Sequence, residues 1–252
     1  MKLIIDTQNG LAGDISVAGL IALGANQERI IDAMEKIGKH LGKISVKPVN
    51  KKGIYSLSID LGVEHDHIHE TTAKKLLSSA IDELKVDKPY ANIAQKILDV
   101  LCEAERYVHK TDKRLSHMIH HYTHGLKEEV ILHEAKDIIM DVLGFAIGLE
   151  ELKIDEIYYL NYINVGNGIV KFSHGSFEVP SPATLRILSE NNIEWRNSDV
   201  YNKEMTTPTG ASIISGSGAK KINNIPEENV TKIGFAAGTR EGLPPVKFYL
   251  VK

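Results

Sequence analysis

Ile131, Ala135, Ile138, Val142, Phe145 and Leu149 recur at steps of four and three along the segment 127–152. Apolar residues at that spacing share one stripe of a 3.6-residue helix, so the stretch predicts a long helix with one face in the core. Upstream, Tyr55, Leu57, Ile59, Leu61 and Val63 alternate with Ser56, Ser58, Asp60 and Gly62. That is the period of a half-buried strand. A chain that carries both periods strongly is expected to be α/β, or mixed α+β, with helices packed on a mixed sheet.

Weaker signals extend the pattern. A strand is predicted over residues 2–6, and an apolar segment then runs to Gly24. Asn26 is a natural cap for a helix carrying Ile30, Met34 and Ile37. Helices are predicted from near Glu70 and from Pro89, the second with Ile93, Ile97, Val100, Leu101, Ala104 and Val108 on its stripe. Further strands are expected near 154–161, 168–173, 229–236 and 246–251. Short helices are expected from Pro182 and Pro208, each behind a hydroxyl residue. At 252 residues one domain over 1–252 is expected, with subdomains of about 1–125 and 126–252.

Composition narrows the function classes. Charged residues are 25% and the net charge is -3, so no basic excess points to nucleic acid or to an anionic membrane. The lone Cys102 sits among helical apolar positions and reads as structural. MKLIID is too short an apolar run for a signal peptide, and no stretch approaches a membrane span, so a cytoplasmic location is expected.

Several constellations are able to carry chemistry. If His133 lies on the long helix, Asp137, Asp141 and Glu134 fall about 40°, 80° and 100° from it. Such a face binds a divalent ion or orients a substrate, or is only a solvated acidic flank. Gly144 and Gly148 continue the same arc and suggest a close neighbour there. His65, His67 and His69 in EHDHIHE alternate as ligands on an extended strand would, or belong to a polar loop. His117, His120, His121 and His124 crowd into nine positions. On a helix they would form a chelating face, and otherwise a solvated one.

Anion sites are suggested by Ser181 and Thr184 in VPSPAT and by Thr207, Thr209 and Gly210 in TTPTGA. Helix starts offer free N–H groups and a positive dipole end. Arg240 in GTREG is a candidate phosphate clamp. Asp6, Asn9, Gly10 and Asp14 in the loop DTQNGLAGD fit either a substrate contact or a capping turn, with Asp14 as cap.

Together these residues resemble a known family, the LarC family of nickel-insertion proteins. IIDTQNGLAGDI is similar to its opening. EAERYVH resembles its Ala-Glu-Ala before a Val-His pair, and LHEAKDIIMDVLG its His-Glu-Val-Gly-Ala-Val-Asp helix. HGSFEVPSPATLRIL, KEMTTPTGASII and GFAAGTRE are similar to its Val-Pro-x-Pro-Ala-Thr, Thr-Pro-Thr-Gly-Ala and Gly-Thr-Arg segments. The matched motifs run from Asp6 to Arg240. HMIHHYTHG falls in what looks like an insertion.

The resemblance implies an activity. Ni(II) is inserted into a pyridinium mononucleotide bearing two thiocarboxylates, with CTP hydrolysed and Mg or Mn present. It implies a metal insertase of the lyase class, a proton acceptor among His133, Glu134, Asp137 and Asp141, and an anion site for the substrate phosphate. It also implies a second, C-terminal domain associated with the nucleotide. CTP use is therefore expected to need a partner polypeptide carrying that domain. A homo-oligomer is compatible with the sequence. The alternatives are a nickel or other divalent-metal carrier without catalysis, and an unrelated phosphate-ligand enzyme on the same scaffold.

Overall fold

The structure, a computed structural model, describes residues 1–38, 44–61, 67–111, 119–120, 129–133, 135–172 and 175–252. Along the first half run β1 (Lys2–Ile5), α1 (Gly13–Ala22), α2 (Gln27–Ile37), β2 (Ser45–Lys51), β3 (Ile54–Asp60), β4 (His67–His69), α3 (Glu70–Leu84), α4 (Lys88–Thr111), β5 (Ile119–His120), β6 (Glu129–His133) and α5 (Ala135–Glu151). The second half adds β7 (Glu156–Leu160), β8 (Ile163–Gly166), β9 (Ile169–Phe172), β10 (Gly175–Glu178), α6 (Pro182–Glu190), β11 (Trp195–Asn197), α7 (Pro208–Gly216), β12 (Lys220–Ile222), β13 (Val230–Ala236) and β14 (Val246–Val251).

The main sheet has seven strands in the order β12-β7-β1-β14-β13-β3-β2. β1 lies inside it, parallel to β7 and antiparallel to β14. Its run KLII has no polar residue after Lys2, as a strand covered on both faces requires. Leu3 and Ile5 enter the main core, whereas Ile4 joins Tyr249 and Val251 on the opposite face. α1 packs on the sheet and α5 packs on α1 and α2. α4 then covers α5, with α6 and α7 against α4. Smaller sheets flank this stack: β4-β6-β5, the hairpin β9-β10 and the parallel pair β8-β11.

The mixed α/β expectation agrees with this architecture, and α6 and α7 begin at the predicted prolines. One correction matters for the site. The predicted helix 127–152 starts only at Ala135, and residues 129–133 form β6 against β4. Val130 and Leu132 are fully buried while Ile131 is half-buried, a two-residue period that the helical stripe overlapped. His133 therefore ends a strand and does not share a helix face with Asp137 and Asp141. Gly144 and Gly148 prove to be packing positions, facing Met34, Val17 and Leu20 of the neighbouring helices.

β3 also departs from its expected pattern. Ile59 is buried, but Tyr55 is 79% exposed. β13 pairs with β3 at Ala236–Leu57, and Ile54 and Tyr55 are paired with β2 alone.

Candidate functional site

Asp6 ends β1 as expected, and its carboxylate accepts from the backbone N–H and the side-chain amide of Gln8. It thereby caps a short 3-10 turn over Thr7–Asn9. Asn9 donates to the Pro245 carbonyl at 2.8 Å. Gly10 then has φ +82, and a Cβ there would lie 2.2 Å from the Met205 carbonyl oxygen. Only glycine allows that approach. It lets Leu11 N–H donate to Met205 O while Thr207 N–H donates to Leu11 O. A Cβ on Gly210 would likewise meet Leu11 O at 2.0 Å. Backbone packed on backbone thus sets the starts of α1 and α7 side by side.

Beside them opens a cavity of about 530 Å³. Asn9 and Asp14 line it from the first loop and α1, His133 from β6, and Asp137 and Asp141 from α5. Ser181 lines it from the start of α6, Thr207 and Thr209 from that of α7, and Arg240 from the loop before β14. These nine sequence candidates meet in space. Asp6, Gly10, Thr184 and Gly210 stand behind the wall, and they shape the site by holding its loops.

The wall is rich in carboxylates. Asp141 is 7% exposed and lies against the first turn of α1, where a Gly13 Cβ would come within 2.0 Å of its Oδ2. Its Oδ1 has no hydrogen-bond partner. Burial raises its pKa well above the ordinary carboxylate range, and the nearby Asp14 and Asp137 add to the shift. Asp14 is raised to about 6 by burial, against the Ile15 N–H and the Arg240 charge that favour its ionised form. Asp14 is not the cap of α1; Ala12 holds that position and Asp14 lies in the first turn.

Three further acids on the wall, Asp60, Glu105 and Glu204, were not singled out from the sequence. Glu105 of α4 lines the cavity, and burial pushes it up to about 7. Glu204 is 6% exposed, and burial raises it too, opposed by Arg240. Arg240 donates to the Glu204 carboxylate at 2.7 Å and to its carbonyl at 2.5 Å. The expected phosphate clamp is thus already tethered on one side. Lys171 of β9 is another cation on the wall. Glu105 and Glu204 lie inside the segments EAERYVH and KEMTTPTG. The available signal for Glu105 was a carboxylate flanked on one helix face by Leu101 and Val108.

Both helix starts have the expected form. Ser181 occupies the N-cap position ahead of Pro182, but its hydroxyl pairs with Thr184 Oγ1 at 2.9 Å and does not cap the backbone. Thr207 Oγ1 accepts from Gly210 N–H at 3.2 Å.

The histidines divide. His67 pairs with His133 across β4 and β6, their rings edge to face with centroids 4.3 Å apart. His69 takes the N-cap position of α3 without a side-chain capping bond. The chelating helix expected of His117, His120, His121 and His124 is not formed at residue 120, whose backbone is in β5. His65, His117, His121, His124 and Glu134 lie outside the described residues. Among the described residues, no group of three or more His, Cys, Asp or Glu side chains is set to hold a metal ion. No helix among them is long and apolar enough to cross a membrane.

A cavity of this size, lined by carboxylates and by helix starts, Arg240 and Lys171, carries groups that suit a ligand with both a cationic and an anionic part. The sequence pattern of the nickel insertion protein family matches residues 3–246. The chain belongs to the nickel insertion protein family. It is 32% identical over 96% of its length to the pyridinium-3,5-bisthiocarboxylic acid mononucleotide nickel insertion protein of Akkermansia muciniphila. It is 30% identical over 95% of its length to the protein of the same name from Staphylococcus saprophyticus. The chain spans 57% and 56% of those relatives, a little over half. No solved structure gives a significant match.

Proposed function

We propose that this chain holds a pyridinium mononucleotide bearing two thiocarboxylates in the cavity and acts as a metal insertase, joining Ni(II) to it. The observation that carries the reading is the presence of carboxylates and anion-binding groups in one cavity. Asp14, Asp137, Asp141 and Glu105 line it together with the starts of α6 and α7, Arg240 and Lys171. Carboxylates suit the pyridinium ring and the incoming Ni(II), both cationic. Helix N-termini and basic side chains suit the phosphate. Family membership selects this ligand from others with the same charge pattern.

The chemistry asked of the site is modest. Two sulfurs and one ring carbon replace nickel's solvent ligands. The electron pair of the ring C–H bond becomes the carbon–nickel bond, and the proton leaves to a base. Carboxylates raised by burial are suited to receive a proton near neutral pH. His67, edge-on to His133, supports entry of nickel from the β4 side, where the histidine-rich segments attach. The step that uses CTP with Mg or Mn is assigned to the portion of the relatives that this chain does not span.

The test incubates the chain with Ni(II) and the metal-free mononucleotide. CTP with Mg or Mn, and the C-terminal portion of a relative, are each added and omitted, and the nickel adduct is followed by mass spectrometry. An adduct is expected when the C-terminal portion is present. Its absence under every condition refutes the reading. Nickel bound without any adduct would instead identify a carrier.

A further inference from the structure

We propose that Glu105, positioned by the buried His109, is the carboxylate that takes the ring proton as the carbon–nickel bond forms. This rests on the insertion reading above and deepens it. Glu105 and His109 are one turn apart on α4, with Glu105 Oε2 3.6 Å from His109 Nε2. That is within ion-pair reach, and longer than a hydrogen bond. Glu105 lines the cavity, while His109 is fully buried behind it in the last turn of the helix.

The other acids are placed for a different task. Asp14 and Asp137 stand close enough to Asp141 to raise it, and Asp141 lies against the Gly13 backbone. In such a cluster the hold on a proton depends on the charge of the neighbouring acids. Glu204 is tied to Arg240. Glu105 has apolar neighbours, Leu101 and Val108, on its own face. Its affinity for a proton comes from burial and not from like charges. A base in such a wall receives a proton from carbon and forms a neutral acid, which the wall tolerates better than the ion. His109, in the last turn of α4, stands behind the Glu105 carboxylate and positions it toward the cavity.

The other titratable and charged groups lining the cavity are Asp14 from α1, Asp60 from β3, His133 from β6, Asp137 and Asp141 from α5, Lys171 from β9, Glu204 before α7 and Arg240 before β14. On its own helix, Arg106 is turned to Glu70 of α3. α6 and α7 present no titratable side chain to the cavity; their lining residues are Ser181, Pro182, Ala183, Thr207, Pro208 and Thr209.

The balance is simple. The C–H bond breaks, its electron pair enters the C–Ni bond, and nickel stays divalent. The proton passes to Glu105 and from there to water as the product leaves. No redox partner is needed.

Two measurements test this. The first compares adduct formation from Ni(II) and the metal-free mononucleotide by the chain with its C-terminal partner. Glu105→Gln should slow it by about 100-fold or more, while equilibrium dialysis shows mononucleotide binding within about threefold of wild type. His109→Gln should leave binding intact and move the midpoint of the rate–pH profile by about one unit. The second needs no reaction. Infrared difference spectra of wild type against Glu105→Gln should show one carboxyl titrating near neutral pH, with its midpoint moved in His109→Gln. Wild-type rates in Glu105→Gln, or no carboxyl titrating between about pH 6 and 8, would overturn the proposal. Failure of the wild type to form adduct would instead remove the insertion reading, and this assignment with it.

Discussion

Replacing Gly13 with alanine should cost stability and disturb the acid wall together. The added Cβ would lie 2.0 Å from Asp141 Oδ2, 2.5 Å from its Cγ and 2.7 Å from its Cβ. An ordinary contact is about 3.5 Å, so α1 and α5 must part or the carboxylate must swing by roughly 1.5 Å. α5 has little room to retreat, because Val142, Leu143, Phe145 and Ala146 are all fully buried. Overpacking of this kind costs about 1–3 kcal/mol. Alanine returns up to roughly 1 kcal/mol through its helix propensity. The net loss should be about 1–2 kcal/mol, a fall in Tm of roughly 2–8 °C for a chain of this size. Urea denaturation followed by circular dichroism measures it. Gly238→Ala is the control from the same cavity, since its Cβ would come no closer than 3.2 Å to the Ile15 tip and 3.6 Å to Asp14 Oδ2. Adding Asp141→Ala removes the two nearest atoms but leaves the contact at 2.7 Å. The double variant should therefore recover only part of the loss, with a coupling near 1 kcal/mol. A Gly13→Ala protein within about 0.5 kcal/mol of wild type, with no coupling to position 141, would refute the packing argument.

Other consequences follow from single groups. Glu105 titrates at about 7 when folded, against 4.5 for a free glutamate, so the native state binds the proton more tightly. Stability should fall as pH rises from about 4.5 to 7, and Glu105→Gln should match wild type at pH 4 but exceed it by roughly 2–3 kcal/mol at pH 8 in denaturant titrations. Thr207→Ala removes the cap on α7 and should cost about 1 kcal/mol by the same assay. Cys102 is fully buried, with its thiol pushed far up by burial. A thiol-disulfide reagent should label it slowly in the native protein and rapidly in denaturant. Alanine at His117, His120, His121 and His124 should lower the number of nickel ions bound in equilibrium dialysis while leaving mononucleotide binding unchanged.

What was legible in the sequence was local. Ser181-Pro182 and Thr207-Pro208 announce helix starts because a hydroxyl cap and a first-turn proline act within one turn. β14 is legible because VKFYLV fills a strand alone. The β6–α5 boundary was not, since Val130, Ile131 and Leu132 satisfy a strand period and extend a helical stripe at once. Short strands such as β8, β11 and β12 owe their form to neighbours, having three or four residues each. Much of the candidate site could be named from its motifs. Glu105 and Glu204 lie inside those motifs too, but only the packing of distant segments singles them out from the other acids there.

The convergence itself depends on one ladder. α1, with Asp14, follows β1, and the loop holding Arg240 precedes β14. These strands pair antiparallel with Leu3 opposite Leu250 and Ile5 opposite Phe248. The pairing brings the beginning and the end of the chain to the same edge of the cavity. It is fixed by burial: Leu3, Ile5 and Phe248 are all fully buried. A slip of one residue would turn β14 over and send Phe248 to the face that Tyr249 now occupies. The core residues of β1 and β14 therefore set the separation of Asp14 from Arg240, although none of them touches the cavity. Substitutions there that preserve volume should spare both fold and site, whereas those that loosen the ladder should shift the Asp14 titration before they unfold the protein.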